Sequence, residues 1–228
     1  MPFTFSHPAA VLPLLGRGPW VAAGLVAGAM APDVPFFADS VLRGSYRYGG
    51  LTHRWWAVPT VDVAIAGAAA LWWYGLVRPE RRGELRPGWF AVSAAVGAGS
   101  HVVWDAFTHQ GRCGVRALPV LNRRVVGVPL YTALQYGTSL LGLAALAPHR
   151  SAVGRVSPVA GAVLAASAAA GALHRLARHE RGRIDELCFG AGAGAALGAT
   201  LCGLAADRRR APRARWGGAP GGPGRSCG

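Results

Sequence analysis

The chain has 228 residues, of which 52% are hydrophobic and only 15% are charged, and its mean hydropathy is +0.28. A soluble domain carries about 25% charged residues, so this composition argues against an ordinary soluble fold and favours an integral membrane protein. The net charge of +14 comes from Arg alone, because Lys is absent. These Arg residues lie between apolar stretches, which is typical of positions facing lipid headgroups and argues against a nucleic-acid interface.

The first 50 residues contain short apolar pieces that are interrupted by six prolines. One of these pieces, Trp20–Met30, is too short for an ordinary membrane span, which needs about 20 residues. It predicts a short helix, either re-entrant or packed on a helical bundle, that ends at Ala31-Pro32-Asp33.

Five later segments are long and apolar enough to cross a bilayer, and aromatic residues mark several of their ends, as expected at the membrane interface. The sequence therefore predicts an all-α integral membrane bundle of about five spans, preceded by the Pro-broken helical region. The five predicted spans are Ala57–Val77, Gly88–Phe107, Pro129–Ala147, Val156–Leu173 and Ile184–Ala206.

Two features of the C-terminal part predict packing and disorder. Gly190, Gly194 and Gly198 recur every fourth residue in the last span. No strand precedes them, so they indicate close helix packing and not a dinucleotide-binding loop. Residues 1–206 are predicted to form the membrane domain, and the Arg-, Gly- and Pro-rich residues 207–228 to form a disordered tail.

The second predicted span ends in the pattern His101-Val-Val-Trp-Asp105-Ala-Phe-Thr-His109. Residues four and eight positions apart lie on nearly the same face of an α-helix, so the three polar side chains are expected to point the same way. Ionisable groups at membrane depth are costly, and their presence there is a functional hypothesis by default.

Alternation of the spans predicts which other residues can reach this pattern. With one complete crossing before it, the end of the second span lies on the same side as residues 1–56. His7, Asp33 and His53 are therefore expected to converge with the HxxxDxxxH pattern. The third span begins on that side as well, which brings Tyr131 and Gln135 nearby.

This set of side chains predicts a divalent metal site without thiolate ligands. None of the four Cys forms a CxxC pair, whereas imidazole and carboxylate ligands suit zinc, manganese or iron, with zinc as the first expectation. A centre with two metal ions is also compatible with six candidate ligands. Asp105 is the candidate catalytic residue, either as a ligand or as a general base. The six candidate ligands are His7, Asp33, His53, His101, Asp105 and His109, and the candidate supporting or substrate-contacting residues are Thr52, Thr108, Tyr131 and Gln135.

Structural roles remain open alternatives for the same residues. His7 could cap a helix, Asp33 could stabilise a turn, and His53 could lie in an interfacial loop. His101 and Asp105 could form no more than a hydrogen bond within one helix. At the level of function, the cluster could belong to an enzyme, to a non-enzymatic ion-binding or transporter-like protein, or to a bundle that needs polar contacts for stability.

Several ordered motifs resemble an uncharacterised family of bacterial integral membrane proteins, the domain-of-unknown-function family 4184. The resemblance covers roughly residues 1–205. More distantly, the His and Asp pattern is similar to that of YdjM-type membrane-bound metal-dependent hydrolases, and its HxxxD helix to that of zinc-dependent phospholipase C. The motifs that carry the family resemblance are Pro2–Ala10, Gly28–Asp33, Thr52-His53, His101–His109 and Pro129–Tyr136.

These resemblances imply metal-dependent hydrolysis, with a phosphoester or a lipid headgroup as the substrate and membrane lipid as the surrounding partner. They imply residence in the bacterial cell membrane, and the placement of the Arg residues predicts no nucleic-acid partner. The ligand roles that they imply fall on His7, Asp33, His53, His101, Asp105 and His109.

Overall fold

The computed structural model describes residues 3–79, 86–149, 156–178 and 183–210. Helices form most of this part of the chain, which confirms the all-α class. Within the described ranges, strands occur only in a short antiparallel hairpin, β1 Arg124–Val125 and β2 Val128–Pro129. The helices are α1 Ala22–Met30, α2 Val34–Ala38, α3 Gly49–Thr52, α4 Val61–Trp72, α5 Pro87–Thr108, α6 Cys113–Ala117, α7 Leu130–Leu146, α8 Pro158–Arg178 and α9 Arg183–Arg210.

Short 3₁₀ and π-helical segments connect these elements. An N-terminal 3₁₀ segment, Thr4–Leu14, precedes α1, and a 3₁₀ turn, Ala31–Asp33, joins α1 to α2. Further 3₁₀ turns are Ser45–Tyr48 and Pro119–Asn122, and the π-helical turn Trp73–Val77 follows α4. The predicted short helix therefore exists as α1, and it ends at the predicted place.

α1 packs closely against α5 because small residues line both helices. A Cβ atom added at Gly28 would overlap the backbone of Ala94, and one added at Gly97 would overlap the carbonyl oxygen of Leu25. Such contacts let two backbones approach much more closely than larger side chains allow. The approach places the C-terminal end of α1 beside the middle of α5, where His101 lies.

The N-terminal 3₁₀ segment lies between α5 and α7. Gly142 on α7 faces the backbone and side chain of Ser6, and the rings of Phe3 and Tyr136 meet edge to face with centroids 6.2 Å apart. This packing holds His7, in the middle of the 3₁₀ segment, against α5.

α8 and α9 form a closely packed pair. Added Cβ atoms at Gly190 and Gly194 would overlap the carbonyl oxygens of Gly171 and Ser167, and one at Gly198 would press on the Ser167 side chain. The glycine ridge predicted for the last span is therefore a helix-packing surface, as expected.

The α8–α9 pair is attached to the rest of the molecule by an aromatic cluster and by buried ion pairs. Phe189 on α9 lies within 5.3 Å of the ring centroids of Phe36 and Phe37 on α2. Arg175 on α8, fully buried, pairs with Glu186 on α9 and with Asp39 after α2.

Two helices in the described ranges are long and apolar enough to cross a membrane, Pro158–Arg178 and Ile184–Ala206. The apolar stretches Ala22–Ala38 and Val61–Val77 are shorter. The described ranges therefore do not show the five expected spans. α4 has only 12 residues before its π-helical turn, and α7 has 17.

The predicted tail begins inside a helix. α9 continues through residues 207–210, where three consecutive Arg residues favour helical backbone. Residues 211–228, the remainder of the predicted tail, lie outside the described residues.

Candidate metal centre

The candidate ligands come from four separate elements that meet beside α5. His101 and Asp105 lie one turn apart on the buried face of α5. Asp33 ends the 3₁₀ turn after α1, and His53 directly follows α3. His7 comes from the N-terminal 3₁₀ segment. The convergence expected from the sequence is therefore observed.

Four of these residues form a compact group of ligand atoms. One atom from each of Asp33, His53, His101 and Asp105 can be chosen so that all four lie within 4.8 Å of one another. Each of the four residues is at most 5% exposed. A set of two imidazoles and two carboxylates at this separation and depth could hold one metal ion.

The distances between the histidine nitrogens and the carboxylate oxygens suit neighbouring ligands of one metal ion. His53 Nε2 lies 3.4 Å from Asp33 Oδ1 and 3.3 Å from Asp105 Oδ2. His101 Nε2 lies 3.5 Å and 3.6 Å from the same two oxygens. Metal–ligand bonds of about 2.0–2.2 Å in a tetrahedron place neighbouring ligands roughly 3.3–3.6 Å apart. These four distances therefore suit a single ion at the centre of the group.

Backbone carbonyls fix the orientation of both imidazole rings. His53 Nδ1 lies 2.7 Å from the carbonyl oxygen of Gly49, and His101 Nδ1 lies 2.7 Å from that of Ala29. A carbonyl can only accept, so each Nδ1 carries a proton and donates it. Each Nε2 is then the ring atom available to a cation that lies between it and the carboxylates, and such carbonyl contacts are the usual support of metal-binding histidines.

Several atoms of the group have no hydrogen-bond partner among the described residues, although they are buried. They are His53 Nε2, His101 Nε2, Asp33 Oδ1 and both carboxylate oxygens of Asp105. Buried polar atoms are nearly always paired, because an unpaired one costs about 1–3 kcal/mol. A cation at the centre of the group would satisfy four of them at once: both Nε2 atoms, Asp33 Oδ1 and Asp105 Oδ2.

Electrostatics at the site favour charged carboxylates. Burial alone would raise the pKa of Asp33, but the neighbouring His101 and His53 outweigh it and hold that pKa well below its usual range. Burial alone would lower the pKa of His53, but the Asp105 and Asp33 carboxylates outweigh it and raise that pKa. The site therefore attracts positive charge, whether a proton on His53 or a metal ion.

His7 lies beside His101 and Asp105, next to the four-residue group. Its ring stacks on that of His101 with centroids 3.8 Å apart, and its Nε2 lies 3.7 Å from Asp105 Oδ1. Burial, and after it the nearby His101, lowers the pKa of His7 to about 3. Neither ring nitrogen has a hydrogen-bond partner in the described ranges. His7 is thus a neutral, buried imidazole and not a helix cap.

His109 is the most exposed of the six residues, with 22% of its side chain accessible. α5 ends at Thr108, and His109 has extended backbone angles, so it does not continue the helical face as the spacing predicted. Its Nδ1 nevertheless lies 3.6 Å from Asp105 Oδ1. Burial lowers the pKa of His109 as well.

A family model described as Domain of unknown function (DUF4184) matches residues 1–81 and 78–157, which is more than half of the chain. The chain belongs to the DUF4184 family. The matched ranges contain all six candidate ligands, whereas α8 and α9 lie beyond them. No curated protein and no solved structure matches the chain. The more distant similarity to YdjM-type hydrolases stays a prediction.

Four residues of this DUF4184 member were predicted to support the site, and three of them contact it or its neighbours. Thr52 donates to the carbonyl of Pro32, next to Asp33, at 2.6 Å. Thr108 Oγ1 lies 3.1 Å from His109 Nδ1, and the Gln135 amide lies 3.0 Å from His109 Nε2. Tyr131 is half-buried one helical turn before Gln135, and its role stays a prediction.

Sequence reasoning missed other supporting groups. Thr4 donates to Asp33 Oδ2 at 2.6 Å, and no sequence pattern indicates a pairing across 29 positions. Asp62, left unassigned from the sequence, is fully buried on the first turn of α4. Its carboxylate oxygens have no hydrogen-bond partner in the part of the chain described. A carboxylate inside a predicted span was the available signal for Asp62.

Proposed function

We propose that this chain is a membrane-embedded, metal-dependent hydrolase. One observation carries the proposal: two oriented histidine Nε2 atoms and two carboxylate oxygens lie within 4.8 Å of one another, buried and without hydrogen-bond partners among the described residues. Keeping two acidic and two basic groups together in an apolar bundle is costly unless a cation or a proton compensates them. This arrangement is typical of a site built for a metal.

The donor atoms favour zinc, with manganese or iron as alternatives. All of the ligands are imidazole nitrogens or carboxylate oxygens, and such sets suit these three metals. A bound ion of this kind lowers the pKa of water to about 7 and stabilises negative charge on oxygen. Asp105 is the central ligand in this proposal, because its carboxylate lies within 3.7 Å of a ring nitrogen of four histidines, His7, His53, His101 and His109.

The proposed substrate class is a phosphoester, including the headgroup of a membrane lipid. Hydrolysis adds water across the ester: the water oxygen bonds to phosphorus, the bond from phosphorus to the leaving oxygen breaks, and the leaving oxygen takes up a proton. Two apolar helices long enough to cross a bilayer would keep such a site close to lipid. The net charge of +14, which comes from Arg residues, favours contact with anionic lipid headgroups.

The five-span arrangement is part of the same proposal. Besides α8 and α9, the helices α5 and α7 carry exposed large apolar residues, including Val92, Phe107, Leu140 and Leu141. Exposed apolar surfaces of this extent indicate contact with lipid or another apolar partner. The proposed location is the bacterial cell membrane.

A non-enzymatic ion-binding or transporter-like function is the second candidate. The specific observation in its favour is that the four-residue group supplies four protein ligands, as structural metal sites do. An ion held in this way stabilises the bundle or passes through it, without a coordination position for substrate.

The test uses full-length protein purified in detergent. Metal content is measured by elemental analysis, and hydrolysis is measured on aryl phosphomonoesters, aryl phosphodiesters and phospholipid vesicles, before and after chelation. We expect about one or more ions per chain and an activity that chelation removes and metal restores. The His101→Ala variant should lose both. The matched control is His174→Ala, because His174 is exposed on α8.

Two outcomes would decide against this proposal. Protein without metal, and unchanged by added zinc, manganese or iron, would contradict a metal site altogether. Metal that is bound and is lost in His101→Ala, together with no hydrolysis of any of the three substrate types, would favour the ion-binding candidate.

A further inference from the structure

The two carboxylate oxygens of Asp105 face two different sets of histidines. Oδ2 lies 3.3 Å from His53 Nε2 and 3.6 Å from His101 Nε2. Oδ1 lies 3.7 Å from His7 Nε2 and 3.6 Å from His109 Nδ1. One carboxylate group therefore separates an inner set of ligands from an outer set.

We propose that the centre holds two metal ions bridged by Asp105. The inner ion is bound by Asp33, His53, His101 and Asp105 Oδ2, and the outer ion by His7, His109 and Asp105 Oδ1. This inference rests on the proposed metal site for the inner ion, and it adds a second site that the compact four-residue group does not include.

The distances from Asp105 Oδ1 to the two outer histidines support a ligand role for both. Its two nitrogen–oxygen distances resemble those of the inner set, and both fit neighbouring ligands on one ion with bonds of about 2.2 Å. A bridging carboxylate is compatible with two ions about 3.5–4 Å apart, the separation found in two-metal hydrolytic centres.

His7 supplies the second, independent observation. It is 1% exposed, and neither of its ring nitrogens has a hydrogen-bond partner in the described residues. A neutral imidazole without partners loses the hydrogen bonds that it would make in water. A cation next to Asp105 Oδ1 would satisfy His7 Nε2 and compensate the buried carboxylate at the same time.

Gln135 can prepare His109 for the same ion. The side-chain amide of Gln135 lies 3.0 Å from His109 Nε2, and its oxygen and nitrogen can exchange places by a rotation. With the oxygen towards the ring, His109 Nε2 donates its proton to Gln135. Nδ1 is then left with a lone pair that faces Asp105.

The two sites differ in the number of protein ligands and in access. The inner ion has four protein ligands, as in a closed structural site, whereas the outer ion has three and keeps a position for water or substrate. His109 is partly exposed, while the other five ligands are buried. Phosphoester substrate would therefore reach the outer ion from the side of His109 and Gln135, with the inner ion as electrostatic support.

The experiment measures ion stoichiometry on the full chain in detergent by native mass spectrometry and elemental analysis. We expect two ions per wild-type chain. We expect one ion in each of His7→Ala and His109→Gln, and two ions in the control His174→Ala. In wild type loaded with manganese, paramagnetic resonance should show two exchange-coupled ions, and this measurement needs no variant to fold.

Each contrary result has a distinct meaning. One uncoupled ion in wild type, unchanged in His7→Ala and His109→Gln, would overturn the second site and leave a one-metal hydrolase intact. Two ions that persist in both variants would overturn the assignment of His7 and His109. No ion in wild type would overturn this inference and the proposed function together.

Discussion

At the scale of single residues, the centre depends on groups that hold its ligands in one orientation. The Nδ1 atoms of His53 and His101 donate to backbone carbonyls, and Thr4 donates to Asp33 Oδ2. Asp105 has no such support among the described residues, since neither of its oxygens has a hydrogen-bond partner there. The negative charge of Asp105 is therefore balanced by no hydrogen bond from this part of the chain, and we expect a bound cation to balance it.

Asp105→Asn should separate a metal-binding role from a structural one. Asparagine keeps the size of the side chain but removes its negative charge, so metal content and hydrolysis should fall together while the fold persists. Metal content and melting temperature are measured on the same detergent preparation. A changed melting temperature with unchanged metal content would instead assign Asp105 to structural pairing, and lost activity with retained metal would make it a general base.

Thr4→Val should weaken metal binding without removing a ligand. Valine matches the shape of threonine but cannot donate to Asp33 Oδ2, so the carboxylate loses its orientation. Loss of such a supporting contact lowers metal affinity by about 10- to 100-fold. Competition with a fluorescent chelator measures the change. Thr60→Val is the matched control, since Thr60 donates only to nearby backbone carbonyls and is exposed. Equal metal affinities for the two variants would contradict the role of Thr4.

At the scale of elements, the site depends on how closely α1 approaches α5. The carbonyl of Ala29 at the end of α1 reaches His101 on α5, and small residues on both helices permit this contact. The spacing of His101 and Asp105 along α5 could be read from the sequence, because helical periodicity is a local property. The distance between α1 and α5 could not, because it depends on glycines that meet across about 70 positions of the chain.

Gly28→Ala should therefore disturb the centre from outside it. The added methyl group would overlap the backbone of Ala94, which cannot move aside as a flexible side chain could. Forced overpacking of this kind costs about 1–3 kcal/mol of unfolding free energy. We expect a lower melting temperature and weaker metal binding.

The matched control is Gly67→Ala on α4, where an added Cβ atom meets no other atom within 4 Å. Alanine favours a helix over glycine by about 1 kcal/mol, so this variant should keep or raise the melting temperature. A Gly28→Ala variant with the same melting temperature as Gly67→Ala would show that α1 and α5 can move apart without loss of stability.

At the scale of the whole molecule, buried ion pairs join the α8–α9 helices to the part of the chain that bears the centre. Arg175 contacts Glu186 and Asp39, and Asp39 also accepts from the backbone of Gly44 and Tyr46. The sequence predicts that Arg residues between apolar stretches face lipid headgroups, but Arg175 is fully buried. Its burial depends on two carboxylates, one of them 136 positions away.

Arg175→Met should destabilise the molecule strongly. Methionine fills much of the same volume, but Glu186 and Asp39 would remain as buried carboxylates without this partner. Breaking a buried ion pair from one side costs about 3–5 kcal/mol of unfolding free energy. Thermal unfolding in detergent measures the change, and the exposed Arg123→Met is the control. Equal melting temperatures for the two variants would mean that these ion pairs do not hold α8 and α9 in place.

Membrane residence is tested on the membrane fraction prepared from cells that express the protein. The α8 helix is largely exposed and apolar, with Val159 and Leu173 at 74% and 67% exposure, so lipid is its expected environment. The protein should remain in the membrane fraction after carbonate and high-salt washes. Release by salt alone would contradict integral insertion, because it would show that electrostatic attachment by Arg residues is sufficient.

The sequence by itself determined the all-α class, the short helix before Asp33, the glycine ridge of the last helix and the set of six candidate ligands. These features follow from local periodicity and from the scarcity of ionisable residues in apolar segments. Tertiary structure alone decided that Asp105 presents one oxygen to each of two histidine sets, that Thr4 supports Asp33, and that Arg175 is buried. Those contacts depend on the separation and rotation of packed helices, and local sequence patterns do not specify such distances.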